Sequence, residues 1–285
     1  MQNSKFKRQN SKRIQNICIL PFAFCIGLAS CASLPKPIAL PSDPGTPFSD
    51  FAAVHAQLSS ACTGVRTLQM EIGLSGRAGN EPLRGRVLAG FERPSSMLLQ
   101  GVAPFGAPVF ILAARDGSAT LLLTREDRII RKAPPEAILG ALTGVALDPA
   151  DLLAVFTGCV VPGPRPTAGR LHAAGIASIE VESVDQGSQR RTATVYLRRN
   201  GSQWQLRAAK RDGWQIEYTP GTGSFPQSVR LISTNPDVVV GITAALSQIE
   251  TNEVLDPKAF IVDEPTNVMP MTVDELRQAG PLRDK

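Results

Sequence analysis

The chain has 285 residues, a formal net charge of +5 and an isoelectric point near 9.1. Five of its 30 basic residues lie within the first 13 positions, and the other 25 are balanced by 25 acidic residues, which excludes a whole-protein attraction to nucleic acid. Only 15 aromatic residues, together with 24 glycines and 23 prolines, favour a protein of strands and turns over a helical bundle.

The first 30 residues have the pattern of a bacterial signal peptide. Basic residues precede a mostly apolar run at 17–26, which is shorter than the ~20 residues of a membrane-spanning helix. The sequence LASC at 28–31 is similar to the lipobox of bacterial lipoproteins, and this resemblance implies that Cys31 becomes the first mature residue and carries acyl chains such as palmitate. Because Ala32 and not aspartate follows, we expect an anchor in the outer membrane, on its periplasmic face. The alternative is an ordinary secretory signal with a cysteine nearby by chance.

The chain has five cysteines, for which we expect three different fates. Cys18 and Cys25 leave with the signal peptide, and Cys31 carries lipid, so Cys62 and Cys159 remain in an oxidising compartment. We expect these two to form a disulfide, which would stabilise the fold by roughly 4 to 5 kcal/mol in the chain-entropy model. Two separate buried thiols are the alternative, because spacing alone does not show that the sulfur atoms meet.

Residues 31–48 are predicted to be the acylated cysteine and a proline-rich extended tether that holds the domain off the bilayer. A helix is predicted to begin after Ser49, because Phe51 and apolar residues at helical spacing follow it. His55 lies beside this apolar stripe. Since His172 is the only other histidine, we expect His55 to be a partly buried side chain and not a metal ligand.

Alternation of apolar and polar residues over 68–75 predicts a half-buried antiparallel strand, and 83–91 continues in the same way. The next three predicted strands are apolar on both faces, so one face of each must meet something besides a filled core. We interpret these strands as walls of a cavity. They span 97–103, 109–114 and 119–123.

Two short helices are predicted to interrupt the strands. The first opens at Pro134-Pro135, and the second has Asp148 as N-cap, Pro149 in its first turn and Gly158 as its stop. The sequence VPGPRPTAG that follows is predicted to be a linker. Further strands are then predicted at 176–184, 192–198, 203–208, 214–218 and 229–232, and at 238–249, where a strand is favoured over a helix.

This order predicts a mainly β protein with a single curved antiparallel sheet, forming an incomplete, half-open β-barrel with short helices as a lid. The predicted domain covers 49–251, and 252–285 form a C-terminal extension. A two-sheet sandwich with a filled core is the alternative, because it would bury the same faces without a ligand.

The sequence carries few groups suited to catalysis. It contains no Gly-x-Ser-x-Gly motif, and its two histidines are far apart in the chain. The glycines at 220–224 lack a lysine and a following helix, so they indicate a turn and not a phosphate-binding loop. Asp212 and Glu217 are predicted to be solvated carboxylates. We therefore expect no enzyme activity, no cofactor and no metal.

The connection between the strands at 97–103 and 109–114 has an unusual composition. Pro104 and Gly106 predict a turn, and Phe105 would stand at its tip, where polar residues are normal. An exposed phenylalanine there could enter a bilayer or the cavity of a partner. The alternative is that Phe105 folds back under the lid.

Several segments, in order, resemble the LolB-type lipoprotein-sorting receptors of the LolA-like half-barrel superfamily. They are LSGRAG, SMLLQGVAPFGAPVFILAA, PEAILGALTGVALDPADLLAVFTG, WQLRAAK and WQIEY, and the likeness covers roughly 65–250. The resemblance implies an apolar cavity for the acyl chains of lipoproteins, which a soluble LolA-like periplasmic carrier would deliver. It also implies that Phe105 assists insertion into the outer membrane. The cysteine pair and the tail at 252–285 depart from the receptor pattern.

We therefore expect an outer-membrane lipoprotein, monomeric, that binds acyl chains, receives lipoproteins from a periplasmic carrier and inserts them into the membrane. The alternatives are a carrier or sensor of another lipid and a non-binding envelope scaffold. A shift of one residue would exchange the inward and outward faces of a strand. The candidate cavity residues are Leu68, Met70, Ile72, Leu74, Met97, Leu99, Ile111, Leu139 and Phe156.

Overall fold

The computed structural model describes residues 36–79, 81–103, 108–183, 190–236 and 238–279, which belong to one compact unit. The predicted signal peptide, the predicted lipidation site Cys31 and the loop residues Pro104, Phe105 and Gly106 lie outside the described residues.

The described strands are β1 (Thr46–Pro47), β2 (Thr67–Ala78), β3 (Glu81–Glu92), β4 (Ser96–Val102), β5 (Phe110–Arg115), β6 (Ser118–Leu123), β7 (Arg128–Ala133), β8 (Pro164–His172), β9 (Ile176–Ser183), β10 (Thr192–Asn200), β11 (Gln203–Arg211), β12 (Trp214–Pro220), β13 (Pro226–Ser233), β14 (Val240–Thr251) and β15 (Met269–Pro270). The helices are α1 (Phe51–Thr63), α2 (Pro135–Thr143), α3 (Pro149–Thr157) and α4 (Val273–Ala279), with short 3₁₀ turns at Ala173–Gly175 and Pro257–Phe260.

All 15 strands belong to one curved sheet, in the order β1-β8-β9-β10-β11-β12-β13-β14-β2-β3-β4-β5-β6-β7-β15. Neighbouring strands are antiparallel except for β15, which runs parallel to β7. The first and last strands of this order do not pair with each other, so the barrel stays open. The predicted half-open barrel is therefore confirmed, and the sandwich alternative is wrong because there is no second sheet among the described strands.

Local sequence explains why the central elements form. Apolar residues alternate along β2, which pairs with β3 from Thr67 opposite Glu92 to Ala78 opposite Glu81. Helix α3 begins where the Asp148 carboxylate accepts a hydrogen bond from the backbone N–H of Asp151 at 2.8 Å. It ends at Gly158, whose φ of 85° lies in the left-handed region that glycine tolerates.

The main core lies on the inner face of the sheet, against α1, α2 and α3. Inward side chains of β2 and β4, such as Leu68 and Met97, pack there with Ile138 of α2 and Val155 of α3. The helices thus cover the inner face, as expected for a lid.

The outer face of β4 to β7 carries a second, smaller apolar cluster. Ala113, Leu122 and Ile129 are buried there by Val262 of the C-terminal extension, and Ile111 packs against the same cluster. The 3₁₀ turn Pro257–Phe260 also contacts β4 and β5. The interpretation that these doubly apolar strands wall a cavity with their second face is therefore wrong. The C-terminal extension covers that face.

The N-terminal segment from Lys36 onward lies on the outer face of β12 and β13. The backbone N–H of Ile38 donates to the Glu217 carboxylate, and the Gln215 amide donates to the Ile38 carbonyl at 2.9 Å. Arg230 donates to the other oxygen of Glu217 at 3.2 Å. This segment is docked and does not act as a free tether over 36–48, and Glu217 is buried, contrary to the prediction that it is solvated.

Four strands were not predicted. The two-residue strands β1 and β15 lie in the predicted tether and in the C-terminal extension. The sequence RIIRKA forms β7, and most of the predicted linker VPGPRPTAG belongs to β8. Strand β8 neighbours only the two-residue β1 on one side, where prolines are tolerated because few ladder hydrogen bonds are required.

Candidate functional site

An apolar cavity lies between the inner face of the sheet and the helices α2 and α3. Its lining consists of twelve apolar residues and Thr143. Strands β2, β3, β4, β13 and β14 supply one wall. Leu139 of α2 and Leu152 and Phe156 of α3 supply the other. A site of this composition can hold hydrocarbon through the hydrophobic effect, and none of its described lining residues has a titratable side chain.

The structure places the nine predicted cavity residues in three different environments. Ile72, Leu74, Leu99, Leu139 and Phe156 line the cavity. Leu68, Met70 and Met97 point to the same inner face but are packed into the filled core beside it.

Ile111 is a correction, because it lies in the outer-face cluster. On β5 the inward residues are Phe110 and Leu112, one position away on either side, so the sequence interpretation chose the wrong face of this strand. Both faces of β5 are apolar, and the pattern alone therefore could not distinguish them.

Some lining residues were missed, although their pattern carried a usable signal. Leu83 and Val87 lie on β3 and face inward together with Ala89 and Phe91, which is the alternation that the strand prediction used. Ile242 and Ala244 lie on β14, which pairs with β2, and this pairing was not predicted.

The cavity measures about 90 Å³. A designed apolar cavity of ~150 Å³ holds a benzene molecule, and sites for larger ligands commonly measure ~300–1,000 Å³. Side chains therefore fill most of the space between the sheet and the helices. This volume is smaller than a long hydrocarbon chain requires.

Helix α3 is held at its N-terminus by buried charges. Arg211 of β11 donates to the Asp151 carboxylate at 3.0 Å and to the Val160 carbonyl at 2.7 Å. Arg191 forms ion pairs with Asp148, the N-cap, and with Asp151 at 3.4 Å. Burial raises the pKa of Asp151, and the Arg211 guanidinium opposes that rise. These contacts fix the start of α3 to the sheet.

A disulfide holds the other end of α3. Cys159, two residues beyond the helix, is bonded to Cys62 in the last turn of α1, with Cα atoms 5.8 Å apart. The bridge spans 97 residues of sequence, and both cysteines are buried. Helix α3 is therefore tied at its start to β11 and at its end to α1.

Helix α2 has no comparable fixation. Among the described residues, no hydrogen bond or ion pair joins a side chain of α2 to another element; Thr143 bonds only to the Leu139 carbonyl of its own helix and to the N–H of Val145. Apolar packing against β6 and α4 holds this helix instead.

The two histidines contact different groups. His55 is buried, as part of α1, and burial lowers the pKa of its imidazole. His172 contacts Asp43 at 3.1 Å and Ser178 at 2.8 Å, far along the chain from α1. In the part of the chain that the structure describes, no group of three or more His, Cys, Asp or Glu side chains could hold a metal ion. None of the described helices is long and apolar enough to cross a membrane.

No protein-family model matches the chain, and no curated protein does either. Several solved structures are similar to it. A LolA superfamily protein from Nitrosomonas europaea has a TM-score of 0.47 at 9% identity, covering 72% of this chain and 96% of that one. A DUF1329 family protein from Desulfovibrio piger has a TM-score of 0.44 at 12% identity, covering 75% and 97%.

A domain from Vibrio parahaemolyticus, provisionally described as an outer membrane lipoprotein-sorting protein, has a TM-score of 0.45 at 10% identity, covering 75% of this chain and 97% of that one. The LolA superfamily is the group that the sequence segments resemble. The half-open barrel itself is established by the strand pairing of this chain.

Proposed function

We propose that this protein binds the acyl chains of lipoproteins, or of another envelope lipid, between its sheet and its lid without breaking covalent bonds. The observation that carries the proposal is the apolar cavity under α2 and α3, with Thr143 as its only polar lining residue among those described. Transfer of hydrocarbon from water into such a site contributes about 25 cal/mol for each Å² of apolar surface removed from water.

Entry of the chain requires displacement of α2. This helix contributes Leu139 to the cavity, and only apolar contacts to its side chains are found among the described residues, whereas α3 is fixed at both ends. Outward movement of α2 opens the closed cavity between β3, β4 and β14, and α3 remains as a fixed wall. The acyl chain then replaces the contacts that α2 gives up, so that binding compensates for opening.

The sequence adds the cellular setting of this proposal. Acylation of Cys31 would anchor the protein to the periplasmic face of the outer membrane, and Phe105 would assist delivery of the cargo into the bilayer. The partners would be acylated lipoproteins and a soluble periplasmic carrier, with the protein acting as a monomer.

A pair of neighbouring alanines on β14 tests the cavity. Ala244 lines it, and Ala245 is exposed on the opposite face. Ala244→Leu fills the cavity from the sheet side, whereas Ala245→Leu adds the same side chain outside it. Mass spectrometry of material extracted from each purified variant should find bound lipid with Ala245→Leu and with the native sequence, and much less with Ala244→Leu. Equal lipid content in all three would refute binding at this cavity.

A second experiment tests the delivery role separately. Phe105→Glu should reduce transfer of lipoproteins to outer-membrane vesicles while leaving lipid content and thermal unfolding unchanged, because it alters only an expected membrane-contacting side chain. Unchanged transfer in this variant would refute the role of Phe105 and the sorting role of the protein. Lipid binding by the cavity would then be decided by the two alanine variants alone.

A further inference from the structure

The docked N-terminal segment limits the distance between the domain and the predicted lipid anchor. Arg230, on the outer face of β13, donates to the backbone carbonyl of Lys36 at 3.5 Å. Cys31 precedes Lys36 by five residues, and an extended chain spans at most about 3.6 Å per residue. An acylated Cys31, and with it the bilayer surface, would therefore lie within about 18 Å of this part of the sheet.

We propose that the outer face of β14, β2 and β3 lies on a bilayer surface that contains anionic phospholipid, next to the acylated Cys31. This inference rests on the acylation that the proposed function includes, and it does not depend on what the cavity binds.

The position of these strands provides the first argument. Strand β14 follows β13 in the sheet, with Thr243 opposite Arg230. Strands β2 and β3 come next, with Ser75 opposite both Thr243 and Arg84. Three strand spacings of about 4.8 Å place the β3 backbone at Arg84 about 14 Å from that at Arg230. This distance is within the limit that the chain length sets for the anchor.

The charge of this face provides the second argument. Apolar residues of β2 and β3, such as Ile72 and Val87, belong to the core, so the alternate residues point outward. The basic residues among these are Arg77, Arg84 and Arg86. Glu71 is 3.6 Å from Arg86, whereas Glu92 and Glu250 lie at the far ends of β3 and β14. The part of the face around Arg84 therefore carries a net positive charge, which complements anionic headgroups.

Leu88 provides the third argument. It follows Arg86 by two residues on β3 and therefore shares its face, and it is 45% exposed. An apolar side chain among basic residues suits the boundary between headgroups and acyl chains. Each basic residue near an anionic membrane surface strengthens attachment about fivefold, so the lipid anchor and this face would act together.

The test uses the protein purified from membranes, with any acyl chains that it carries, and asks which face approaches the lipid. Ser75→Cys, exposed on the proposed face, and Ser60→Cys, exposed on α1, each carry the same fluorophore. The vesicles consist of phosphatidylcholine, with or without phosphatidylglycerol, and contain a quencher attached to lipid headgroups. We expect strong quenching at position 75 with phosphatidylglycerol, weaker quenching without it, and little quenching at position 60 on either vesicle.

Two arginines measure the contribution of charge. Arg84→Gln should lower the ratio of docked to undocked protein about fivefold, because one basic residue at an anionic surface is lost. Arg170→Gln changes an exposed arginine on β8, near the other edge of the sheet, and should leave the ratio unchanged. Equal quenching of the two labels, or an Arg84→Gln variant that docks like the parent, would overturn the proposal.

Flotation of the unlabelled protein separates this inference from its premise. An acylated protein floats with vesicles of phosphatidylcholine alone, because acyl chains do not require anionic lipid. A protein that does not float has no anchor, and both the proposed anchoring and this docking then fail. A protein that floats without quenching at position 75 is anchored, and only the docking fails.

Discussion

The two lid helices α2 and α3 have the same local design and different fixation. Each has nine residues, a proline in its first turn and a glycine in the left-handed region immediately after its end, Gly144 and Gly158. Helix α3 is tied to β11 by Arg211 and to α1 by a disulfide. Within the described parts of the chain, the side chains of α2 make only apolar contacts with other elements. Local sequence thus determines that both helices form, and long-range contacts determine how each one is fixed.

Removal of the disulfide should have the largest effect on the difference in fixation between α2 and α3. Because the bridge spans 97 residues, Cys62→Ala with Cys159→Ala should lower the free energy of unfolding by roughly 4 to 5 kcal/mol, measured by urea denaturation. Hydrogen exchange should then become faster in α3 and approach that of α2. An unchanged free energy of unfolding, or unchanged exchange in α3, would show that the bridge does not hold this helix.

Loss of the buried arginine should have the next largest effect. Arg211→Met leaves Asp151 buried without its closest partner and should cost about 3 kcal/mol of stability, measured in the same way. Replacing both residues, with Arg211→Met and Asp151→Leu, should recover most of the loss. The control is Arg277→Met, which removes an exposed ion pair with Asp274 and should cost under about 1 kcal/mol. A loss no larger than in this control would contradict the fixation of α3 by charge.

Alanine substitution of the glycine that follows each helix allows a direct comparison of α2 and α3. At both positions, alanine must adopt a left-handed conformation, which costs about 1–2 kcal/mol. A Cβ at Gly144 would also lie 2.8 Å from Val240, whereas one at Gly158 would lie 3.5 Å from Leu206. If α2 shifts as we propose, Gly144→Ala should cost at most about 1 kcal/mol more than Gly158→Ala. A much larger difference in urea denaturation would indicate that α2 is rigid.

The pH dependence of stability should be the smallest of these effects. It reports on α1, which the disulfide joins to the end of α3. Burial lowers the pKa of His55 below 6.5, so the unfolded chain takes up a proton that the folded protein does not as the pH falls through that value. Stability should therefore decrease on acidification from pH ~7 to pH ~5. His55→Phe should flatten the decrease in the urea midpoint. An identical pH profile in His55→Phe and the native protein would show that another titrating group causes the decrease in stability.

Much of the architecture could be predicted because its signals are local. The alternation in β2 and the cap residues Asp148, Pro149 and Gly158 of α3 act within a few positions of one another, and the structure has these elements at nearly the expected bounds. The five predicted cavity residues that line the cavity belong to elements of this kind.

The remaining features depend on contacts between distant parts of the chain. Ile111 and Glu217 were misplaced because the partners that bury them, Val262 and Ile38, lie more than 100 residues away in sequence. The pairing of β14 with β2, which adds Ile242 and Ala244 to the cavity, is likewise a long-range event. No periodicity within a single segment contains this information.

The open sheet also has a consequence for how copies of the protein behave toward each other. An unclosed barrel leaves two edges, and unpaired strand edges can add strands from another molecule and polymerise. Here each edge ends in a two-residue strand that contains a proline, Pro47 in β1 and Pro270 in β15. Such short strands offer almost no template for intermolecular pairing. Very short edge strands and edge prolines are among the features by which proteins limit pairing between sheet edges.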